Sequence, residues 1–378
     1  MRVLHVHSGN LYGGVEVLLG TIARCSKLCP EMDAEFALCF EGKIATELRK
    51  AGATVHILGE VHARNRRQVI RTRQTLSNIL SLRQFDAAIC HMIWPLALFG
   101  VVVRRIKLPL VFWMHDAVTR RSWLSLWAQL VSPDLVICNS HFTALSLKRI
   151  FRRVPSETFY YPVMSRAETL NPWQRHKVRS SLITASEAVV ILQASRMEPW
   201  KGHNVLLEAL AEIIDLPQWV CWIAGSPQRR REAVYEQSLR QRVKELGLSH
   251  RVRFLEHRSD ITQLMQAADI YCQPNVGAEP FGIAFVEAMK AGLPVVTSAA
   301  GGPLEIIDKS CGVLVEPKST ASLALHLKAL IENEQQRRRL GAAGAHRASA
   351  LCDPGRQLRR LDAILRRTAS SRSAAQEH

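Results

Sequence analysis

Ala268-Asp-Ile-Tyr-Cys-Gln-Pro274, four further residues, then Glu279-Pro-Phe-Gly-Ile-Ala-Phe-Val-Glu287-Ala-Met-Lys-Ala-Gly292 form a strand, a loop and a helix in sequence pattern. The first run is short, apolar and free of helical periodicity, so it reads as a buried strand leading into the loop. The second run carries a helix that starts near Gly282. Its first amides have no partners inside the helix, and such amides hold an anion or a set of sugar hydroxyls. Glu279 stands just ahead of those donors. Glu287 follows eight positions later, a little over two turns down the helix on a neighbouring face. The pair can grip a polar molecule at two points. On spacing alone, an ordinary amphipathic helix with two solvated glutamates fits equally well.

The same strand, loop, helix order recurs on both sides. Ala188-Val-Val-Ile-Leu-Gln193 reads as a strand, followed by Ala-Ser-Arg196-Met-Glu-Pro-Trp-Lys201-Gly202 and a helix over 203–214. Arginine is a flat fork of donors and lysine a compact point charge, a combination suited to a diphosphate. Two solvated cations beside a turn remain the alternative. A strand at 218–225, a basic helix over 229–246 and a short strand at 252–255 continue the pattern. In the first half, Val3-Leu-His-Val-His7 leads into Gly13-Gly14-Val-Glu16 and an apolar-periodic helix from Val17. Further strands are read at 35–40, 54–58, 86–91, 110–114 and 135–138. Strands spaced by helices imply parallel, doubly wound sheets that bind ligands at the carboxyl ends of their strands. His91, His115 and Asn139-Ser140 fall at such ends. His115-Asp116 draws most interest, because a strand-end histidine beside a carboxylate can orient a sugar hydroxyl or share a proton.

Glu279-x7-Glu287, followed by Gly301-Gly302-Pro-Leu-Glu305 and Gly312-Val-Leu-Val315, resembles the signature of the retaining GT-B glycosyltransferases of family 4. The resemblance covers most of the C-terminal half. It implies an α/β fold of two Rossmann-like, doubly wound domains facing an interdomain cleft. It also implies a set of site residues. Glu279 and His115 are catalytic, with His115 contacting the transferred sugar. Arg196, Lys201 and Gly14 hold the donor diphosphate. Phe281, Gly282 and Ile283 line the donor sugar, and Glu287 takes the ribose hydroxyls. The activity implied is transfer of a hexose from a UDP- or GDP-sugar to a hydroxyl of a glycan or lipid-linked acceptor, with retention and without a metal. Ser195 stands where the family usually has glycine before the arginine, which puts the backbone approach there in question.

At 378 residues the chain predicts two domains, placed at 1–165 and 166–350 with Pro155 to Pro162 in the connection. Residues 351–378 are read as a helix crossing back to the first domain, then a disordered tail. The nine cysteines include no Cys-x-x-Cys pair and no metal-ligand spacing, and no Asp-x-Asp stands at a strand end; no metal site or cofactor is predicted. The N-terminus alternates like a strand rather than a signal peptide, and no apolar run is bilayer-length, so a cytoplasmic protein is expected.

The net charge of +17 is uneven, with 21 basic against 11 acidic residues over 1–165 and 23 against 19 over 166–350. That field attracts phosphate-bearing partners. Arg120-Arg121 precede Trp123, Leu126, Trp127, Leu130 and Val131 on one helical face, a pattern that suits the anionic inner face of a membrane, or packing on its own sheet. A basic nucleic-acid-binding protein is a competing reading, against which no helix-turn-helix, RNP-type or zinc-finger pattern appears. An epimerase or inverting transferase of the same architecture is another.

Overall fold

Runs of three to six residues, mostly Val, Ile, Leu, Ala and Cys, alternate with amphipathic helices and assemble into two all-parallel sheets. The structure is a computed structural model, and it describes residues 1–9, 12–118, 123–164, 169–256 and 258–376. The chain divides into two compact units, Met1–Val163 with Cys352–His378, and Met164–Leu351.

The first unit runs β1 (Arg2–His7), α1 (Gly14–Arg24), β2 (Asp33–Leu38), α2 (Lys43–Lys50), β3 (Val55–Ile57), α3 (Arg66–Leu82), β4 (Ala87–His91), α4 (Ile93–Arg105), β5 (Leu110–Met114), α5 (Trp123–Gln129), β6 (Leu135–Cys138), α6 (His141–Leu147) and β7 (Ser156–Thr158). Its sheet order is β3-β2-β1-β4-β5-β6-β7. Strands β4, β5 and β6 are buried along their whole length, as strands covered by helices on both faces must be. Local chemistry starts the helices: Asn65 caps α3 through the Gln68 amide, and Ser140 caps α6 through the Thr143 amide.

The second unit runs α7 (Pro172–Ser181), β8 (Val189–Ala194), α8 (His203–Glu212), β9 (Trp219–Ala224), α9 (Arg230–Glu245), β10 (Val252–Phe254), α10 (Ile261–Ala267), β11 (Ile270–Gln273), α11 (Ile283–Lys290), β12 (Val295–Ser298), α12 (Pro303–Ile306), β13 (Gly312–Val315), α13 (Thr320–Glu332) and α14 (Glu334–Cys352). Its sheet order is β10-β9-β8-β11-β12-β13. At the amino ends of its strands a buried ion pair ties β8 and β11 to α7. Arg179, 2% exposed, donates to Asp269 at 2.6 Å and to the carbonyls of Ala267, Ser186 and Ala188.

The chain then returns to the first unit as α15 (Pro354–Gln376). Leu358, Leu361, Ile364 and Leu365 are buried, and Arg372 reaches Asp134 at 2.6 Å. Two sequence expectations need correction. The stretch taken as interdomain connection contains β7, which pairs with β6, and it carries the buried Phe159 and Tyr161. The chain leaves the first unit only after Val163. The Ser/Ala-rich tail read as disordered is helical to Gln376, since nothing in it interrupts a helix anchored by the docked turns before it. Glu377 and His378 lie outside the described residues.

Candidate active site

In each sheet the strand order reverses once, between β1 and β4 and between β8 and β11, and the crevice at such a reversal is where open parallel sheets hold ligands. In the second unit both flanking loops carry residues singled out from the sequence: Arg196 and Lys201 after β8, Glu279 after β11. Gly202 brings the loops into contact. It has φ +77°, and a Cβ there would stand 1.8 Å from the Pro274 carbonyl oxygen, so the chain approaches closer than any side chain permits. The Val276 amide donates to the Trp200 carbonyl at 2.9 Å across the same seam.

The side chains form one continuous network. Lys201 Nζ donates to Glu279 Oε2 at 2.7 Å and lies 3.8 Å from the centre of the Trp200 ring. Asn275 donates to the same carboxylate oxygen at 2.9 Å, and Gln273 donates to Asn275 at 3.0 Å. On the other side, Arg196 Nη2 meets Glu198 at 3.1 Å and Glu232 at 2.7 Å, while the Trp200 indole donates to Glu198 at 2.9 Å. Glu287 sits half-buried at the fifth position of α11, just over one turn in. Burial pushes the Tyr271 hydroxyl well above its ordinary pKa, and the charges of Glu287 and Glu279 raise it further, so both carboxylates bear on one tyrosine.

Gly282 opens α11 with φ +97°, a position where a Cβ would meet the Phe285 ring at 2.3 Å. Among the described residues, the amides of Ile283 and Ala284 have no protein acceptor, as befits a helix start. The backbone of Glu279 is held from behind, its carbonyl accepting from the Gly302 amide at 2.8 Å and its residue pairing with Gly301. The structure therefore brings Arg196, Lys201, Glu279, Glu287 and residues 281–283 to the carboxyl end of one sheet.

The first unit holds Gly14 and His115. Gly14 is exposed at the first position of α1, and Glu16 folds back beneath it, accepting from the Gly13 amide at 2.9 Å and meeting His7 Nε2 at 2.7 Å. Asn10 and Leu11 of this turn lie outside the described residues. The expectation for His115 is revised. Its ring is 4% exposed and both nitrogens face other side chains: Nε2 meets His91 Nδ1 at 3.0 Å, and Nδ1 meets the Tyr161 hydroxyl. It is not a free acid or base oriented by Asp116. His91 passes the contact on to His5 at 2.9 Å, making a stacked row across β1, β4 and β5. Burial pushes His5 down to about 3, and burial first, then neighbouring histidine charge, pushes His91 and His115 well below 6.5. A neutral imidazole has one donor and one acceptor nitrogen. Each ring in the row thus dictates the tautomer of the next. Asn139 closes the end, donating to the Tyr161 hydroxyl at 3.1 Å and the His115 carbonyl at 2.8 Å.

Sequence reading missed Asn275, Trp200, Glu232, His5 and Tyr161. Trp200 lies between the two cations in sequence, and Tyr161 lies in the Pro155 to Pro162 stretch whose composition resembles a linker. Nothing local marked Asn275 or Glu232. The apolar face of α5 splits. Trp123, Leu126 and Leu130 are 50%, 54% and 80% exposed, whereas Val131 is buried and Trp127 packs inward beneath Arg73. Arg120 and Arg121 lie outside the described residues. Among the described residues no helix is long and apolar enough to cross a membrane.

Residues 174–347 match a family model described as "Glycosyl transferases group 1". A phosphatidyl-myo-inositol mannosyltransferase of Mycobacterium leprae is 40% identical over 152 residues, 39% of this chain and 38% of that protein. A D-inositol 3-phosphate glycosyltransferase of Corynebacterium diphtheriae is 28% identical over 230 residues, 58% of this chain and 52% of that protein. This chain thus spans about half the length, or less, of these curated relatives. Among solved structures, Anabaena HepE in complex with UDP and glucose has a TM-score of 0.86 at 26% identity, covering 97% of this chain and 99% of that one.

Proposed function

We propose, from the premise that this chain belongs through its C-terminal unit to the group 1 glycosyltransferases, that it moves a hexose from a nucleoside diphosphate sugar, UDP- or GDP-linked, to a hydroxyl of a glycan or lipid-linked acceptor, with retention at the anomeric carbon. The observation that carries this reading is the joined set Arg196, Lys201 and Glu279 beside the open amides of Ile283 and Ala284. Breaking the bond between an anomeric carbon and a diphosphate develops negative charge on the leaving oxygens. Two cations and a helix start at the leaving oxygens stabilise that charge, and charge aimed where it develops does most to lower the barrier in such sites. No step in this scheme needs a metal ion.

The ion pair between Lys201 and Glu279 gives the order of events. An arriving diphosphate takes the ammonium, and the released carboxylate turns to the sugar hydroxyls. Glu287 takes the ribose hydroxyls, and the backbone of Phe281, Gly282 and Ile283 lines the sugar. On the first unit, Gly14 offers an exposed backbone at a helix start, and His115 serves as a neutral, immobile group at the end of β5. The HepE complex with UDP and glucose favours a UDP-sugar as the first donor to test.

A thermal-shift panel of UDP-, GDP-, ADP- and dTDP-sugars reads donor choice, because a ligand at a hundred times its Kd adds about 2.7 kcal/mol. Proton NMR of the product then reports the anomeric configuration. Epimerised nucleotide sugar without transfer, or an inverted linkage, overturns the reading. A peripheral site at an anionic membrane face is part of the proposal, supported by exposed Trp123, Leu126 and Leu130 and the arginines of α3. Flotation with phosphatidylglycerol vesicles, but not phosphatidylcholine vesicles, is the outcome it requires.

A further inference from the structure

Arg196 follows β8 in an irregular segment, and a solvated arginine there loses rotamer entropy when it grips a phosphate. Its side chain is already fixed: Nη2 donates to Glu232 Oε1 at 2.7 Å and contacts Glu198 at 3.1 Å. Glu232 is the more rigid partner. It is 1% exposed, and its second oxygen accepts from the Gln228 amide at 2.7 Å, which anchors it in the first turn of α9. Burial works against the ionised form of Glu232. The Gln228 amide, the Arg196 hydrogen bond and the charges of Arg196 and Arg229 outweigh it, and the pKa falls below its ordinary value.

The guanidinium is used on one side only. Both protein contacts go to Nη2, and among the described residues Nη1 has no protein acceptor. Nε is buried and likewise without one. An arginine held through Nη2 keeps the donors of Nη1 for a second anion.

We propose that Glu232 is a positioning residue for the donor diphosphate, holding Arg196 by Nη2 so that Nη1 is left for the phosphate oxygens. The inference rests on the glycosyltransferase reading above. Glu232 touches no substrate and acts through Arg196. Replacing it by glutamine sets an amide NH2 against either the Arg196 donors or the Gln228 N–H, so one of the two bonds is lost.

The test is a binding cycle with nucleoside diphosphates, read by calorimetry and checked for folding by circular dichroism. UDP, GDP, ADP and dTDP are titrated into the wild type, and the tightest is carried forward. Glu232→Gln is expected to weaken that Kd by about tenfold or more. In an Arg196→Ala background the same substitution is expected to have no further effect. Glu232→Asp, which keeps the charge and shortens the reach, should also weaken binding, and it serves if the glutamine variant does not fold. A folded Glu232→Gln or Glu232→Asp with wild-type affinity overturns the proposal. So does an equal loss in both backgrounds, which identifies a structural role in the turn before α9. A wild type that binds none of the four diphosphates overturns the glycosyltransferase reading instead.

Discussion

Lowering the pH from 7.5 to 5.0 should loosen the first unit far more than the second, because of the histidine row. His5, His91 and His115 are 0%, 0% and 4% exposed, and each is held neutral by burial. The unfolded chain takes up a proton at each near pH 6.5, while the folded unit does not. The unfolded state therefore binds more protons, and stability rises with pH across this window. Stability is fully present above 6.5 and is lost as the pH falls toward the depressed folded values. Each ring contributes about 1.4 kcal/mol per pH unit once well below 6.5. The three rings lie in one unit, so their losses add there. In the second unit His203, lowered to about 3 by burial and then by the charge of Lys201, forfeits only about 2 kcal/mol. Carboxylates with lowered pKa, such as Glu232 and Asp308, titrate below this window and do not confuse it.

Unfolding of a two-unit chain is not one transition, so the assay is native-state hydrogen exchange, read separately on the strands of each sheet. After correction for intrinsic exchange, amides of β1, β4 and β5 should lose protection steeply between pH 7.5 and 5.0, and those of β8, β9 and β11 only slightly. His5→Phe keeps a ring against Phe36 and removes one titrating group, which should reduce the slope in the first unit by about a third. Equal, shallow slopes in the two units rule out a neutral buried row, since they require imidazoles that are either solvated or already charged.

Three further outcomes are expected. Glu279→Gln removes the charge that Lys201 meets at 2.7 Å and should lower turnover at least about 100-fold with the fold intact by circular dichroism; turnover within a few-fold of wild type contradicts the site. Gly202→Ala forces a Cβ to 1.8 Å from a carbonyl oxygen at φ +77° and should destabilise the second unit by more than about 3 kcal/mol, read by hydrogen exchange on β8, β9 and β11. Asp269→Ala leaves the guanidinium of Arg179 buried without its counter-ion and should cost the same unit about 3 kcal/mol or more, where a surface pair would cost under about 1 kcal/mol.

The two-sheet architecture was legible in the sequence because it depends on local period. Apolar runs of strand length alternating with helices admit little besides parallel sheets, and Gly282 marked a helix start that the chain adopts one residue later. The position of the candidate site residues at the carboxyl edge of the second sheet was legible for a related reason: charge and helix-start donors sit in loops directly after strands, where sequence order alone places them at that edge. Which of those groups face each other came from the fold alone. Lys201 and Glu279 lie 78 positions apart, and Arg196 and Glu232 lie 36 apart. Their contacts depend on the order of β8, β9 and β11 in the sheet and on a glycine seam between loops, neither of which has a sequence period. The same holds for His115, which in sequence stands beside Asp116. In the fold its ring is turned into a row with His5, His91 and Tyr161, because neighbouring parallel strands bring those positions level, and burial then removes the charge that would have made it an acid.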